Sequence, residues 1–145
     1  MGFSGKGPGG MSISTTCQCG AVKLDLQRAP EFINDCNCSL CSRAKANWGY
    51  FHPSEVTIHG LTSTYVRPDR DTPAVEIHVC QSCENTTHWV LTQAYQEQQG
   101  GNSQMGVNMF LFPQEDLHGV EIRFPDGAAW SGEGPYGFRR ESLVI

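Results

Sequence analysis

Seven cysteines fall in three short groups, Cys17-x-Cys19, Cys36-x-Cys38-x-x-Cys41 and Cys80-x-x-Cys83, and that spacing limits what the chain can become. An odd count excludes complete pairing into intramolecular disulfides. Cysteines at short, regular intervals point to metal binding or catalysis rather than to a secreted disulfide framework. The opening "MGFSGKGPGG" has no apolar core of the kind a secretory signal needs. The expected location is therefore cytoplasmic, where thiols stay reduced.

The first and third groups each sit at the end of a strand-like segment beside a tight turn. Together Cys17, Cys19, Cys80 and Cys83 offer four thiolates from distant parts of the chain, the closed tetrahedron of a structural zinc site. An ion holding that loop shut would pin two halves of a small domain to each other. Gly20 stands where it can relieve the Cys-x-Cys turn.

Cys36, Cys38 and Cys41 remain, all in the loop "DCNCSLC" (35–41). Three thiolates leave one position free on a tetrahedral ion, and an open position separates catalytic from structural zinc. The alternative is a site closed by a further donor. His52, His59, His78, His88 and His118 are available, as are Asp35 and Glu84. His52 is the first candidate because its strand leaves the three-cysteine loop directly. His78 shares a strand face with Cys80 by alternation.

Most of the rest reads as short strands. "AVKLDLQ" (21–27) sets Val22, Leu24 and Leu26 against Lys23, Asp25 and Gln27, the pattern of a half-buried strand. Similar segments are "MSISTT" (11–16), "EFIND" (31–35), "ANWGYFHP" (46–53), "EVTIHG" (55–60), "STYVRP" (63–68), "AVEIHVC" (74–80), "THWVLT" (87–92), "MGVNMFLF" (105–112) and "GVEIRF" (119–124). Helical periodicity is poor. It is confined to one turn around Ser39–Ala46 and another at "PQEDLHG" (113–119), with Pro113 at the first helical position and Gly119 as the stop. The polar stretch 93–104, "QAYQEQQGGNSQ", reads as a mobile loop. The expected fold is all-β, with residues 1–11 a flexible leader and 12–145 one domain.

A formal net charge of −5 argues against binding the phosphates of a nucleic acid. No apolar run approaches the roughly 20 residues that a membrane-crossing helix needs.

The order "CQCGAV", "CNCSLC", "CQSC" resembles the glutathione-dependent formaldehyde-activating enzyme family, which includes centromere protein V. The resemblance covers roughly Cys17 to Trp130, and all seven cysteines fall on its pattern. It implies an Mss4-like fold of coiled antiparallel sheets around a zinc held by the outer pairs, Cys17, Cys19, Cys80 and Cys83. It implies a second, catalytic or labile zinc on Cys36, Cys38 and Cys41, hence two Zn2+ per chain. The implied activity is that of a carbon–sulfur lyase of the S-(hydroxymethyl)glutathione synthase type, with glutathione or a similar small thiol and formaldehyde or another small aldehyde as partners. Nearby Arg43 and Lys45 could attract the carboxylates of a peptide thiol. A non-catalytic, zinc-stabilised binding module of the same fold is the competing expectation. A methionine-sulfoxide reductase would need an independent late cysteine, and none follows Cys83.

Two departures from the family pattern stand out. Glu84 and Asn85 follow the last knuckle where the family has Gly, so Asn85, which tolerates left-handed backbone, is expected to carry the turn. "MFLFPQ" (109–114) replaces a segment of small and acidic residues.

Overall fold

The computed structural model describes residues 11–131 and 133–145, so the leader expected at 1–11 lies outside the described residues except for Met11. The described residues form strands β1 (Ile13–Thr16), β2 (Lys23–Leu26), β3 (Phe32–Asn34), β4 (Trp48–Phe51), β5 (Val56–His59), β6 (Thr62–Tyr65), β7 (Val75–Cys80), β8 (Thr86–Leu91), β9 (Met105–Asn108), β10 (Glu121–Pro125) and β11 (Phe138–Val144). Two short helices join them, α1 (Ser39–Ala44) and α2 (Gln93–Gln99). The fold is all-β and of the Mss4-like kind.

β2 shows how the alternation becomes packing. Leu24 and Leu26 are fully buried while Lys23 points to solvent, and Val22 just before the strand is buried too. β1 and β5 flank β2 on either side, both antiparallel, in a three-stranded sheet. Its apolar face meets Ile33, Phe51 and Val107 of the larger sheet and Met109, which follows β9. Burying each such side chain stabilises the fold by about 1.5–3 kcal/mol.

The second sheet has the order β11-β10-β3-β4-β9-β8-β7-β6 and is antiparallel except for the β10–β3 pair. β8 is buried at nearly every position because both its faces are covered. A smaller core of Ala46, Trp48, Ile77, Trp89 and Leu91 forms on this sheet, and Leu40, Cys41 and Ala44 of α1 pack against it. Those positions give α1 one apolar side, which presses the three-cysteine segment onto the sheet.

Three sequence expectations need correction. The stretch 93–104 is not a loop throughout, since α2 occupies its first half. Thr92 caps that helix by accepting the Tyr95 N–H at 3.2 Å, and Gly100 ends it at φ 89°. Tyr95 supplies the packing, docking onto the smaller core. At "PQEDLHG" there is a 3-10 turn over Gln114–Leu117 with Pro113 as its cap rather than its first residue, although Gly119 does take the left-handed stop at φ 87°. Finally, β11 was not expected, for "FRRESLV" shows no alternation. It is exposed at every position and is held by pairing with β10, with register shifts on the way.

Candidate metal centres

The two outer knuckles meet at the junction of the sheets. Cys17 follows β1 and Cys80 ends β7, and both are buried, while Cys83 is half-buried and Cys19 exposed. The four sulfurs lie within 4.8 Å of one another. Four sulfurs at ~2.3 Å from a zinc ion stand ~3.8 Å apart. The Cys17–Cys19 and Cys19–Cys80 sulfur separations are both 3.7 Å. Donor type and spacing therefore suit zinc.

Backbone N–H groups turn in toward these sulfurs. Val22 N–H reaches Cys17 Sγ at 3.3 Å, and Ser82 and Cys83 N–H reach Cys80 Sγ at 3.4 and 3.5 Å. Such donors favour the thiolate. The N–H groups of Cys83 and Ser82 lower Cys80 below the usual thiol range, and those of Asn85 and Cys19 bring Cys83 down to about 6. Cys19 goes the other way. The Ala21 N–H favours its thiolate, but burial and the adjoining thiols leave it at about 11.

Gly20 takes the left-handed turn expected of it, at φ 82°. At the second knuckle the expectation fails. Glu84 itself is left-handed, at φ 63°, and donates its N–H to the Cys80 carbonyl at 3.0 Å. Asn85 instead bridges the knuckles, its Oδ1 accepting the Gln18 N–H at 2.7 Å. The knuckle's hydrogen bonds dictate which residue bends, and they choose the one whose side chain is not needed for that bridge.

Cys36 lies between β3 and α1, Cys38 is the N-cap of α1, and Cys41 stands inside it. Their sulfurs also lie within 4.8 Å of one another, and all three residues are half-buried. Cys38 N–H points to Cys36 Sγ at 3.5 Å, and Cys41 N–H to Cys38 Sγ at 3.3 Å. Hydrogen bonding by Cys36 and Cys41 holds Cys38 far below the ordinary thiol range. The same contacts, with burial, push Cys41 far above it. Cys38 and Cys41 sulfurs are 2.9 Å apart, closer than the edge of a zinc tetrahedron, so an ion between them has to spread the pair. Three thiols with inward N–H donors fit a soft divalent ion such as zinc.

Among the described residues, no histidine or carboxylate joins this second group. His52 is committed elsewhere: its Nδ1 accepts the Ser54 N–H at 3.1 Å, capping the 3-10 turn Pro53–Glu55. His59 pairs with Asp25, and His78 stacks on His88 with ring centres 4.4 Å apart. Asp35 is held by Arg139 at 2.8 Å.

The residues that fix the loop come from far along the chain, and sequence reading missed them. Asn37 donates to Asp126 Oδ1 and accepts the Ala128 N–H, both at 2.9 Å. Arg139 donates to the Asp35 carbonyl at 2.6 Å. Gly127 lies against Cys36 and Cys38. Tyr50 forms part of the inner wall; burial raises its pKa, and its hydroxyl accepts from Asn34 Nδ2 at 2.9 Å. The turn residues "PDG" (125–127) were the only signal of this clamp.

A family profile described as "Glutathione-dependent formaldehyde-activating enzyme" matches residues 12–117. The chain belongs to this formaldehyde-activating enzyme family. Among solved structures, it is similar to a Rhodobacter sphaeroides protein studied by structural genomics. The two share 23% identity over 74% of this chain and 97% of that one, with a TM-score of 0.54. That likeness concerns the fold. Among curated proteins, none matches the sequence. All seven cysteines lie inside the stretch matched to the formaldehyde-activating family, whereas Asp126, Gly127 and Arg139 lie beyond it.

Proposed function

We propose that the protein adds a small thiol of the glutathione kind to formaldehyde or another small aldehyde. In this reading Cys36, Cys38 and Cys41 hold a labile zinc ion, and Cys17, Cys19, Cys80 and Cys83 hold a structural one. The observation that carries it is the second thiol group, in which three half-buried sulfurs have no fourth protein donor among the described residues. When bound there, zinc supplies an open position at which a thiol gives up its proton near neutral pH.

The chain's own residues do the rest. The Cys38 and Cys41 N–H groups orient the sulfurs. Asn37, Asp126 and Arg139 keep the loop from drifting, and Trp48, Tyr50 and Trp89 exclude water from its inner side. Arg43 and Lys45 on the outer side attract the carboxylates of a peptide thiol. In the reaction the sulfur forms a bond to the carbonyl carbon, the C=O π bond opens onto oxygen, and that oxygen takes up a proton. The product is a hemithioacetal, the S-hydroxymethyl thiol when the aldehyde is formaldehyde, and a catalyst of this step is a carbon–sulfur lyase in the reverse direction. No helix among the described residues is long and apolar enough to cross a membrane, and the cytoplasm is the location we propose.

The test is Cys38→Ser, followed by NMR of adduct formation from carbon-13 formaldehyde and glutathione. The variant should lose the catalysed rate and keep its circular dichroism. Full activity in the variant would refute the assignment and leave the non-catalytic zinc module.

A further inference from the structure

Beside α1 runs an open groove of about 670 Å³, walled on the other side by β6, β7 and the Cys80–Cys83 knuckle. It begins at Ser39 and Leu40, the residues between Cys38 and Cys41. Its floor is apolar, with Leu40, Ile77 and Val79, and its rim carries charges of both signs. A volume of this size suits a small peptide, since ligand sites usually span about 300–1,000 Å³.

Two rim charges stand out. Arg43 projects from α1 and Glu84 from the opposite knuckle, both exposed. Neither enters an ion pair among the described residues. The other charged pair in the groove, Arg67 and Asp69, is already closed on itself at 2.7 Å. Glu84 also sits in left-handed backbone, a conformation that glycine adopts at far lower cost. The knuckle's hydrogen bonds impose that backbone, and the side chain it carries lines the groove.

We infer that this groove docks the α-amino-acid end of the thiol co-substrate, with Arg43 receiving its carboxylate and Glu84 its ammonium. The inference rests on the thiol–aldehyde reading for the identity of the ligand. A free cation and a free anion on facing walls match a zwitterion, and they match neither a simple alkyl thiol nor a plain dicarboxylate. A γ-glutamyl thiol has the required form, with its amino-acid end remote from its sulfur.

Binding can be measured without turnover by titrating zinc-loaded protein with S-methylglutathione in a calorimeter. Glu84→Gln should weaken that ligand about tenfold or more, while an N-acetylated form lacking the ammonium should bind wild type and variant within about twofold of each other. Arg43→Gln should weaken both ligands, since both keep the carboxylate. Failure of S-methylglutathione to bind wild type, or equal affinities for wild type and Glu84→Gln, would overturn the docking assignment. Binding with the expected pattern but no adduct formation would keep the docking site and remove the enzymatic reading instead.

Discussion

The α-carbon of Gly127 abuts the Cys36 thiol so closely that a methyl group there would stand 2.5 Å from its sulfur. The same methyl would meet Cys38 Cβ at 3.0 Å. The turn after β10 therefore acts as a template for the three-cysteine loop. Gly127→Ala should push Cys36 out of line at a cost of about 1–3 kcal/mol. Zinc per chain, measured by native mass spectrometry, should drop from two to one while circular dichroism holds. Two retained ions in the variant would show that the turn is a passive neighbour.

The two thiol groups should part with metal unequally. In the four-sulfur group Cys19 already stands 3.7 Å from both Cys17 and Cys80, as on a zinc tetrahedron, whereas the Cys38–Cys41 pair has to open from 2.9 Å. A mild chelator is expected to take one equivalent first, leaving the far-ultraviolet spectrum intact, and the second only under denaturing conditions. Simultaneous release of both ions would contradict this ranking.

Glu84→Gly should raise thermal stability. Glycine relieves the left-handed strain of roughly 1–2 kcal/mol, offset in part by the greater freedom of the unfolded chain. A melting experiment on the zinc-loaded variant checks this, with a net gain expected and a lowered midpoint counting against it. Coupled with weaker ligand binding, such a gain would describe a residue that serves function against the interest of the fold.

His88 predicts a specific acid sensitivity. Burial, and then the stacked His78, hold its pKa down at about 3 against an ordinary 6.5. Its Nδ1 is 2.8 Å from the Thr87 hydroxyl, and the His78 ring beside it pairs with Glu76 and Thr62. Between those values the unfolded chain binds a proton that the folded one refuses. Stability is therefore complete above pH 6.5 and falls with acid toward pH 3, by about 1.4 kcal/mol per pH unit for this one group. In denaturant melts, His88→Gln should flatten the slope relative to wild type over that window. Parallel slopes would mean that His88 is protonated in the fold.

The cysteine spacing and the apolar alternation made much of the architecture legible. Leu24 and Leu26 alternate because only one face of β2 is buried, so a periodicity of two reports it faithfully. The rule loses force at β8, where both faces are covered, and at β11, where neither is. α2 was hidden because glutamine is polar yet an acceptable helix former, and its capping Thr92 and Gly100 were the available signal. His78 and Cys80 illustrate another limit. Alternation puts them on one face, but the ladder slips between His78 and Val79 and the ring stacks on His88. The contacts of Asn37 and Asp35 with residues 89 and 104 positions later were beyond any local pattern.

That last distance sets an order in time. During synthesis Cys36, Cys38 and Cys41 leave the ribosome long before Asp126 and Arg139 exist, so for that interval they are thiols without the contacts that later steady their loop. A metal ion or an oxidant meeting the nascent chain would find a more pliable ligand set than the finished protein presents.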